Sequence, residues 1–335
     1  MRRFLLWSTA SLLALGVLAL AAALWWLHAP MDLRPPAGSS VVDLEVEPGT
    51  PPREVAQAVA ASGVQVWPTG LYAWFRVSGQ ARQIKAGNYE ITPGMSPRRL
   101  LNMLARGEES LKNVTLPEGL NFQQVLAVLH KADMLSPESR QLSPEQLMAK
   151  IGKPGVHPEG RFFPDTYSYA KGASDLSVLQ RAARAMDKRL AEAWAQRRAD
   201  LPIRTPEEAL ILASIIEKET GKPADRPLIG GVFTNRLRMG MRLQTDPTVI
   251  YGLGEQFDGN LRKRDLLDDT PYNTYTRAGL PPTPIAMPGK AALMAAVQPA
   301  QTPALYFVAK GDGSSHFSAT LDEHNRAVNK YILGR

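Results

Sequence analysis

The sequence predicts an α+β protein that begins with a single apolar helix, and three observations lead to this fold class. Residues 4–27 form an uncharged run that is long enough to cross a bilayer as a helix. Residues 42–46 alternate between apolar and polar side chains, as a half-buried strand does. Residues 205–220 carry the start and stop signals of a helix. Strand and helix patterns recur together along the rest of the chain.

The composition limits the classes of function. The 335 residues allow a membrane segment and two or three folded units, and a hydrophobic content of 44% supports a substantial core. The absence of cysteine excludes disulfides, thiolate–metal sites and thiol catalysis. The net charge of +7 is modest and no basic tract with interleaved aromatic residues occurs, so we expect no nucleic acid partner.

The apolar run has the features of a membrane anchor. Arg2 and Arg3 precede it, and because positive residues stay in the cytoplasm, the rest of the chain is expected outside. Trp7 and Trp25 lie near its two ends, where aromatic side chains suit the membrane interfaces. A cleaved signal peptide is the alternative, with cleavage at the small residues 21–23. The apolar run continues beyond them, which favours a retained anchor.

The segment that follows the linker has the pattern of a compact folded unit. Its strands and helices are expected at residues 42–46, 54–61, 85–91, 97–104, 114–116 and 122–130. Nothing in this unit resembles an active site. We therefore predict a spacer or a binding module here.

The helix predicted at residues 205–220 has marked ends. Thr205 is a good N-cap, Pro206 suits the first helical position, and Glu208 completes a capping box. Gly221 and Pro223 stop the helix. The helix is therefore expected to place its last turn immediately before a loop.

Glu219 lies in that last turn, on the same apolar stripe as Ile215. Burial and the negative end of the helix dipole both raise the pKa of a carboxyl, as a general acid near neutral pH requires. The alternative is a structural carboxyl that pairs with Arg236 or Arg238. Glu217 is expected on the polar side, in solvent and in a surface ion pair, so that Glu217→Gln keeps most activity.

Three loops after this helix, at residues 241–252, 271–275 and 279–285, are dense in hydrogen-bonding side chains. Loops of this kind are typical of a carbohydrate-lined groove. A turn at 159–167 combines aromatic rings with carboxylates, which is common both in sugar-binding clefts and in the cores of domain boundaries. The remaining elements are expected as a long amphipathic helix capped by Ser174, a helix at 228–238, strands at 305–309 and 316–318, and a helix at 322–333.

Several functional motifs do not occur in the sequence. It has no Walker-type phosphate loop, no dinucleotide fingerprint and no HExxH motif. His157, His316 and His324 lack ligand spacing, so we predict no structural zinc. Ser214 has no nucleophile elbow around it. We therefore expect neither a metal nor a serine nucleophile.

A close resemblance to a known family is carried by three segments: ILASIIEKET at 211–220, NRLRMGMRLQTDPTVIYGLG at 235–254 and YNTYTRAGLPPTPI at 272–285. These segments resemble the YceG-like family of endolytic murein transglycosylases. The resemblance implies a catalytic domain in the periplasm and a LysM-like module, both held at the cell inner membrane by one anchor. The expected organisation is a cytoplasmic tail at 1–3, a transmembrane anchor at 4–27, a linker at 28–40, the LysM-like module at 41–150 and the catalytic domain at 151–335.

The reaction implied by the resemblance is cleavage of the bond between N-acetylmuramic acid and N-acetylglucosamine in nascent peptidoglycan strands. It leaves a 1,6-anhydro muramic end and terminates glycan elongation. The family's catalytic acid corresponds to Glu219, and no cofactor is required. The alternatives are a non-catalytic peptidoglycan-binding scaffold at the membrane, or a muramidase that needs a second carboxylate such as Asp246 or Glu217.

The expected partners are peptidoglycan glycan strands, inner membrane lipid and peptidoglycan synthases. One set of residues is expected to hold the sugar rings and the acetamido group. These candidates are Gln244, Thr245, Asp246, Tyr251, Tyr272, Asn273 and Tyr275.

Overall fold

The computed structural model describes residues 2–35 and 40–334, and for residues 2–12 it describes the backbone alone. The chain divides into two compact units, Met1–Lys112 and Asn113–Arg335. Residues 113–150, which the sequence analysis groups with the first folded unit, therefore belong to the second. The physical reason is their packing, since Val114 and Phe122 lie in one hydrophobic cluster with Phe162.

Alternating strands and helices form the first unit, and its predicted strand at 42–46 is confirmed. Its elements are α1 (Arg2–His28), β1 (Asp32–Leu33), β2 (Val42–Val46), α2 (Pro52–Ala61), β3 (Val64–Gln65), α3 (Pro68–Val77), β4 (Gly87–Ile91) and α4 (Pro97–Arg106). Strands β2 and β4 pair antiparallel with Leu44 opposite Tyr89, and both side chains are buried in the core of this unit. The helix α3 is not predicted, because its Pro-Thr-Gly start lacks a capping side chain. The assignment of this unit as LysM-like stays a prediction.

Helix α1 covers the predicted anchor at residues 4–27, but the side chains of residues 4–12 lie outside the described part. Among the residues that are described, no helix has both the length and the apolar character needed to cross a membrane. Part of the predicted linker, at residues 36–39, also lies outside the description.

The second unit is mainly helical. Its first strand, β5 (Leu111–Thr115), begins two residues before the boundary of the unit. The elements that follow are α5 (Phe122–His130), α6 (Pro144–Lys150), β6 (Thr166–Ala170), α7 (Asp175–Ala195), α8 (Pro206–Glu219), α9 (Arg226–Arg238), α10 (Asp246–Leu253), α11 (Lys263–Leu267), α12 (Lys290–Val297), β7 (Tyr306–Ala309), β8 (Ser315–Ser318) and α13 (Leu321–Tyr331). Strands β7 and β8 form an antiparallel hairpin. The predicted helices at 122–130 and 228–238 and the predicted strands at 305–309 and 316–318 are confirmed.

Helix α8 lies at the centre of this unit. Its residues from Ala209 to Glu217 are all buried, and helices α7, α9, α10 and α12 pack around it. The Thr205 side chain caps it by accepting from the N–H of Glu208, as predicted. The reciprocal half of the capping box is wrong, because the Glu208 carboxylate accepts from the N–H of Arg204 instead of that of Thr205.

Helices α10 and α12 are further helices that the sequence does not predict. Residues 246–253, expected as a loop with a turn at Pro247, form α10, because a proline in the first turn of a helix loses no hydrogen bond there. Helix α12 is apolar on every side, so its eight residues carry no periodic pattern that would identify a helix.

Candidate functional site

Glu219 lies at the C-terminal end of α8, where the chain turns into an extended conformation at Thr220. Its carboxyl is half-buried and accepts a short hydrogen bond from Thr245 Oγ1. Burial raises its pKa to about 7, and the charge of Asp246 acts in the same direction. The hydrogen bond from Thr245 and the positive charge of Arg236 lower this pKa without outweighing burial.

Arg236 and Arg238, the alternative ion-pair partners of Glu219, form their interactions with other residues. Arg236 is buried and donates from Nε to the carbonyl of Leu305 and from Nη1 to the carbonyl of Leu243. Arg238 bonds Asp200. Within the described residues Glu219 forms no ion pair, so the interpretation of a structurally paired carboxyl does not fit this geometry.

Glu217 is not in solvent, and the expectation of a surface ion pair is wrong. Its carboxylate is buried, accepts from Arg226 Nη2 at 2.8 Å and also accepts from the N–H of Gly289 at 2.9 Å. The physical reason is that helix α8 has no polar side over this stretch, since neighbours cover it all round. Glu217 therefore ties the end of α8 to the starts of α9 and α12.

The segment from Gln244 to Asp246 runs beside Glu219. Gln244 has a φ of 48°, a left-handed conformation that is uncommon for a residue other than glycine. Thr245 is buried, and its N–H donates to Thr274 Oγ1 at 3.0 Å. Asp246 accepts from the hydroxyl of Tyr275 at 2.5 Å. Four of the predicted site residues are therefore brought together with Glu219.

Tyr251 and Tyr272 lie together in a different part of the unit. Their rings meet edge to face with centroids 4.9 Å apart. The hydroxyl of Tyr251 donates to Glu159 Oε2 at 3.0 Å, and Glu159 is 3% exposed. Burial raises the pKa of Glu159 to about 7, and its hydrogen bonds from Phe122 N–H and Tyr251 oppose that rise. The sequence signal for Glu159 is its position in the aromatic and acidic turn at 159–167.

Asn273 is placed differently from the other predicted site residues. It is completely buried, and its side-chain nitrogen donates to the carbonyls of Asp265, Leu266 and Asp268. Asn273 therefore shapes the loop that carries Tyr275, and it has no surface exposed to a ligand.

Three adjoining cavities form a groove along the second unit. The central cavity, of about 500 Å³, is lined among others by Glu118, Lys218, Glu219 and Arg226. The C-terminal cavity, of about 380 Å³, also contains Glu219; its lining is completed by Arg236, Gln244, Asp246, Tyr275, Tyr306, Phe307, Leu321 and His324. The tyrosine cavity, of about 710 Å³, shares Gly119, Gln124 and Lys218 with the central one and contains Glu159, Tyr251 and Tyr272. Glu219 therefore lies between two cavities of an open groove.

The described part of the chain brings together no group of three or more acidic or histidine side chains that could hold a metal ion. The absence of a metal from the reaction stays a prediction.

Sequence reasoning missed Arg236 and His324 as groove residues, because both belong to helices whose patterns indicate only packing and solvation.

Comparison with known proteins agrees with the resemblance in the sequence. A model of the YceG-like family matches residues 44–330. A protein of Bacillus subtilis named endolytic murein transglycosylase is 30% identical over an alignment of 320 positions, which covers 88% of this chain and 86% of that protein. A Streptococcus pneumoniae protein of the same name is 28% identical over 78% of this chain, but this match spans only 53% of the pneumococcal protein.

One solved structure also resembles this chain. It is the crystal structure of a protein from Listeria monocytogenes described as yceG-like, with 27% identity and a TM-score of 0.54. The match covers 86% of this chain and 99% of the Listeria chain. The fold described above is therefore shared with a solved protein over most of this chain.

Proposed function

Because the chain belongs to the YceG-like family, we propose that it is a lytic transglycosylase acting on the glycan strands of peptidoglycan. The observation that carries the proposal is the position of Glu219 between two cavities of an open groove, with a pKa of about 7. A carboxyl with this pKa holds a proton in a useful fraction of molecules at neutral pH and can still release it.

Glu219 performs both proton transfers. As an acid it protonates the glycosidic oxygen between N-acetylmuramic acid and N-acetylglucosamine, and the bond from that oxygen to C1 of muramic acid breaks. As a carboxylate it then takes the proton of the C6 hydroxyl, whose oxygen forms a new bond to C1. The product carries a 1,6-anhydro muramic end, no water is consumed, and Glu219 regains its proton.

The surroundings of Glu219 limit the candidates for the second carboxylate that a hydrolytic mechanism needs. A muramidase normally needs two carboxyl groups that flank the scissile bond. Glu217 is unsuitable because it is buried in an ion pair with Arg226. Asp246 remains as a candidate second carboxylate, and the nature of the product decides its role.

The cavities on both sides of Glu219 favour an endolytic cut within a strand, since sugar rings on each side of the bond need space.

Mass spectrometry of the products tests the proposal. Purified strands are digested with the wild-type chain, with Glu219→Gln and with Glu192→Gln, a control at an exposed position on α7. We expect products lighter by one water than hydrolysed ends from the wild type and the control. Loss of the catalytic acid typically lowers the rate by about 10²- to 10⁴-fold.

Other products would identify the alternative functions. Reducing ends from the wild type, together with loss of activity in Asp246→Asn, would indicate a muramidase. Binding of strands without any change in their length, in the wild type as in Glu219→Gln, would indicate a scaffold. Either result would refute the transglycosylase.

We further propose that the chain is held at the cell inner membrane with its bulk in the periplasm, where it cuts nascent strands beside peptidoglycan synthases and ends their elongation. The basis is the pair Arg2 and Arg3 in front of the apolar run, together with the proposed substrate. In this proposal the LysM-like module binds N-acetylated glycan. A reporter enzyme fused after Arg335 should be active only in the periplasm, and cytoplasmic activity would contradict the proposal.

A further inference from the structure

The C-terminal cavity contains side chains that the proposed proton transfers do not use. The hairpin strand β7 contributes Tyr306 and helix α13 contributes His324 to its lining, which also includes Gln244 and Asp246. These elements come from the last thirty or so residues of the chain. A cavity that adjoins the acid on this side has room for part of the substrate.

His324 has hydrogen-bonding capacity that the protein does not use. Its ring stacks on that of Tyr306, with centroids 5.3 Å apart and 24° between the planes. Its Nδ1 atom is buried, and within the described residues it has no hydrogen-bond partner. A buried polar atom without a partner is costly and is rare in native proteins. Such an atom in the ring of a residue that lines a cavity points to a ligand.

Arg236 adds a charged group to the lining of the same cavity. It is 7% exposed, and its guanidinium lies 5.2 Å from the centre of the Tyr306 ring. Its bonds to the carbonyls of Leu305 and Leu243 fix the start of β7 to the segment that leads into Gln244. The stack of Arg236, Tyr306 and His324 is therefore fixed to the backbone at Leu305 and at Leu243.

Gln244, which also lines this cavity, supplies an independent observation. Its left-handed backbone, with a φ of 48°, costs free energy, and such strain concentrates at ligand sites. The hydrogen-bonded pair of Asp246 and Tyr275 adds further polar groups to the lining of the cavity.

We propose that the C-terminal cavity is the subsite for one N-acetylated sugar next to the scissile bond, and that His324 hydrogen-bonds this sugar; the proposal rests on the proposed function. Tyr306 acts as the spacer that holds the imidazole, since its ring is in contact with His324 and Arg236. The ligand class follows from the lining, because neutral and charged hydrogen-bonding groups at fixed positions suit the hydroxyl and acetamido groups of a sugar.

The test separates binding from cleavage by using Glu219→Gln as the background. Peptide-free strands of alternating N-acetylglucosamine and N-acetylmuramic acid are bound to the full chain carrying Glu219→Gln alone or with a second change. The second changes are His324→Ala, His324→Asn and His316→Ala. His316 is a matched control, since it also lies in the C-terminal hairpin and contacts an aromatic ring, that of Tyr331, but does not line the cavity.

We expect His324→Ala to weaken binding about five- to tenfold, as the loss of one hydrogen bond does. His324→Asn keeps a polar atom near the position of Nδ1 and should recover most of the affinity. His316→Ala should bind like the background protein. Unfolding midpoints of the same proteins show whether a loss of affinity merely follows a loss of folding.

Equal affinity of His324→Ala and the background would overturn the proposal, even if the melting temperature falls. Absence of binding to these strands by the background protein would overturn it as well. If binding depends on His324 but the wild type produces no anhydro ends, the subsite stands and the proposed reaction fails. The two failures are therefore distinguishable.

Discussion

Replacing Glu219 by glutamine should stabilise the folded protein at alkaline pH while it abolishes cleavage. The native pKa of this carboxyl is about 7, whereas its ordinary value is 4.5. Between these two values the native state holds a proton that the unfolded state has released. Stability therefore falls as the pH rises through this window, since it decreases with pH wherever the native state binds more protons.

The magnitude follows from the two pKa values. The difference between 7 and 4.5, at about 1.4 kcal/mol per pH unit, makes ionised Glu219 cost about 3 kcal/mol above pH 7. Glutamine does not ionise, so Glu219→Gln removes this cost. Its amide oxygen can still accept the hydrogen bond from Thr245. Any effect of the substitution on packing should change the free energy of unfolding by the same amount at every pH.

The measurement is urea unfolding of the wild type and Glu219→Gln at pH 4.5 and pH 8. The difference in free energy of unfolding between the two proteins should move by about 3 kcal/mol in favour of the variant between these pH values. Glu159 titrates in the same range, but it is present in both proteins and cancels. Glu192→Gln, at an exposed position on α7, should show no such movement. A difference that is the same at both pH values would refute the assignment of a raised pKa to Glu219.

Three further changes test the environment of the groove. Asp246→Asn removes a charge that raises the pKa of Glu219, so the alkaline limb of the pH–rate profile should move to lower pH; an unmoved limb would contradict this. Glu217→Gln removes the nearer carboxylate partner of Arg226, which keeps Glu118 at 3.7 Å, and should lower the free energy of unfolding by about 1–3 kcal/mol. Glu217→Gln combined with Arg226→Gln should lose less in the same urea assay. Tyr251→Phe removes a donor to Glu159 and should cost about 1 kcal/mol at pH 8 and less at pH 5, where that carboxyl is protonated; an equal cost at both would refute it.

The expected position of Glu217 in solvent shows where sequence reasoning fails in this chain. Helical periodicity correctly places Glu219 on the stripe of Ile215, but it assigns Glu217 to solvent because it assumes that a helix has one buried face. Helix α8 is surrounded by other helices, so both carboxyl groups meet protein. Which residues surround a helix depends on long-range packing, and one segment of sequence does not contain that information.

Local signals were reliable where the physical cause is local. The cap at Thr205 and the strand at 42–46 depend on neighbouring residues, and both are confirmed. The segment beginning at Asp246 shows the limit, because Pro247 indicates a turn and the first turn of a helix equally well. The grouping of Tyr306 and His324 with Glu219 could not be predicted, since it joins segments more than eighty residues apart in the sequence.

The two carboxyl groups at the end of α8 have opposite requirements, and the structure meets both within one turn of helix. Glu217 accepts from a guanidinium and from the N–H that begins helix α12, where a negative charge is favoured. Glu219, two residues later, has no ion-pair partner among the described residues and lies where the helix ends. The first interaction fixes the last turn of α8 against α9 and α12. A general acid must be held in a defined position and yet remain easily protonated. The pairing of Glu217 supplies the position, and the burial of Glu219 without an ion-pair partner among the described residues raises its pKa to about 7.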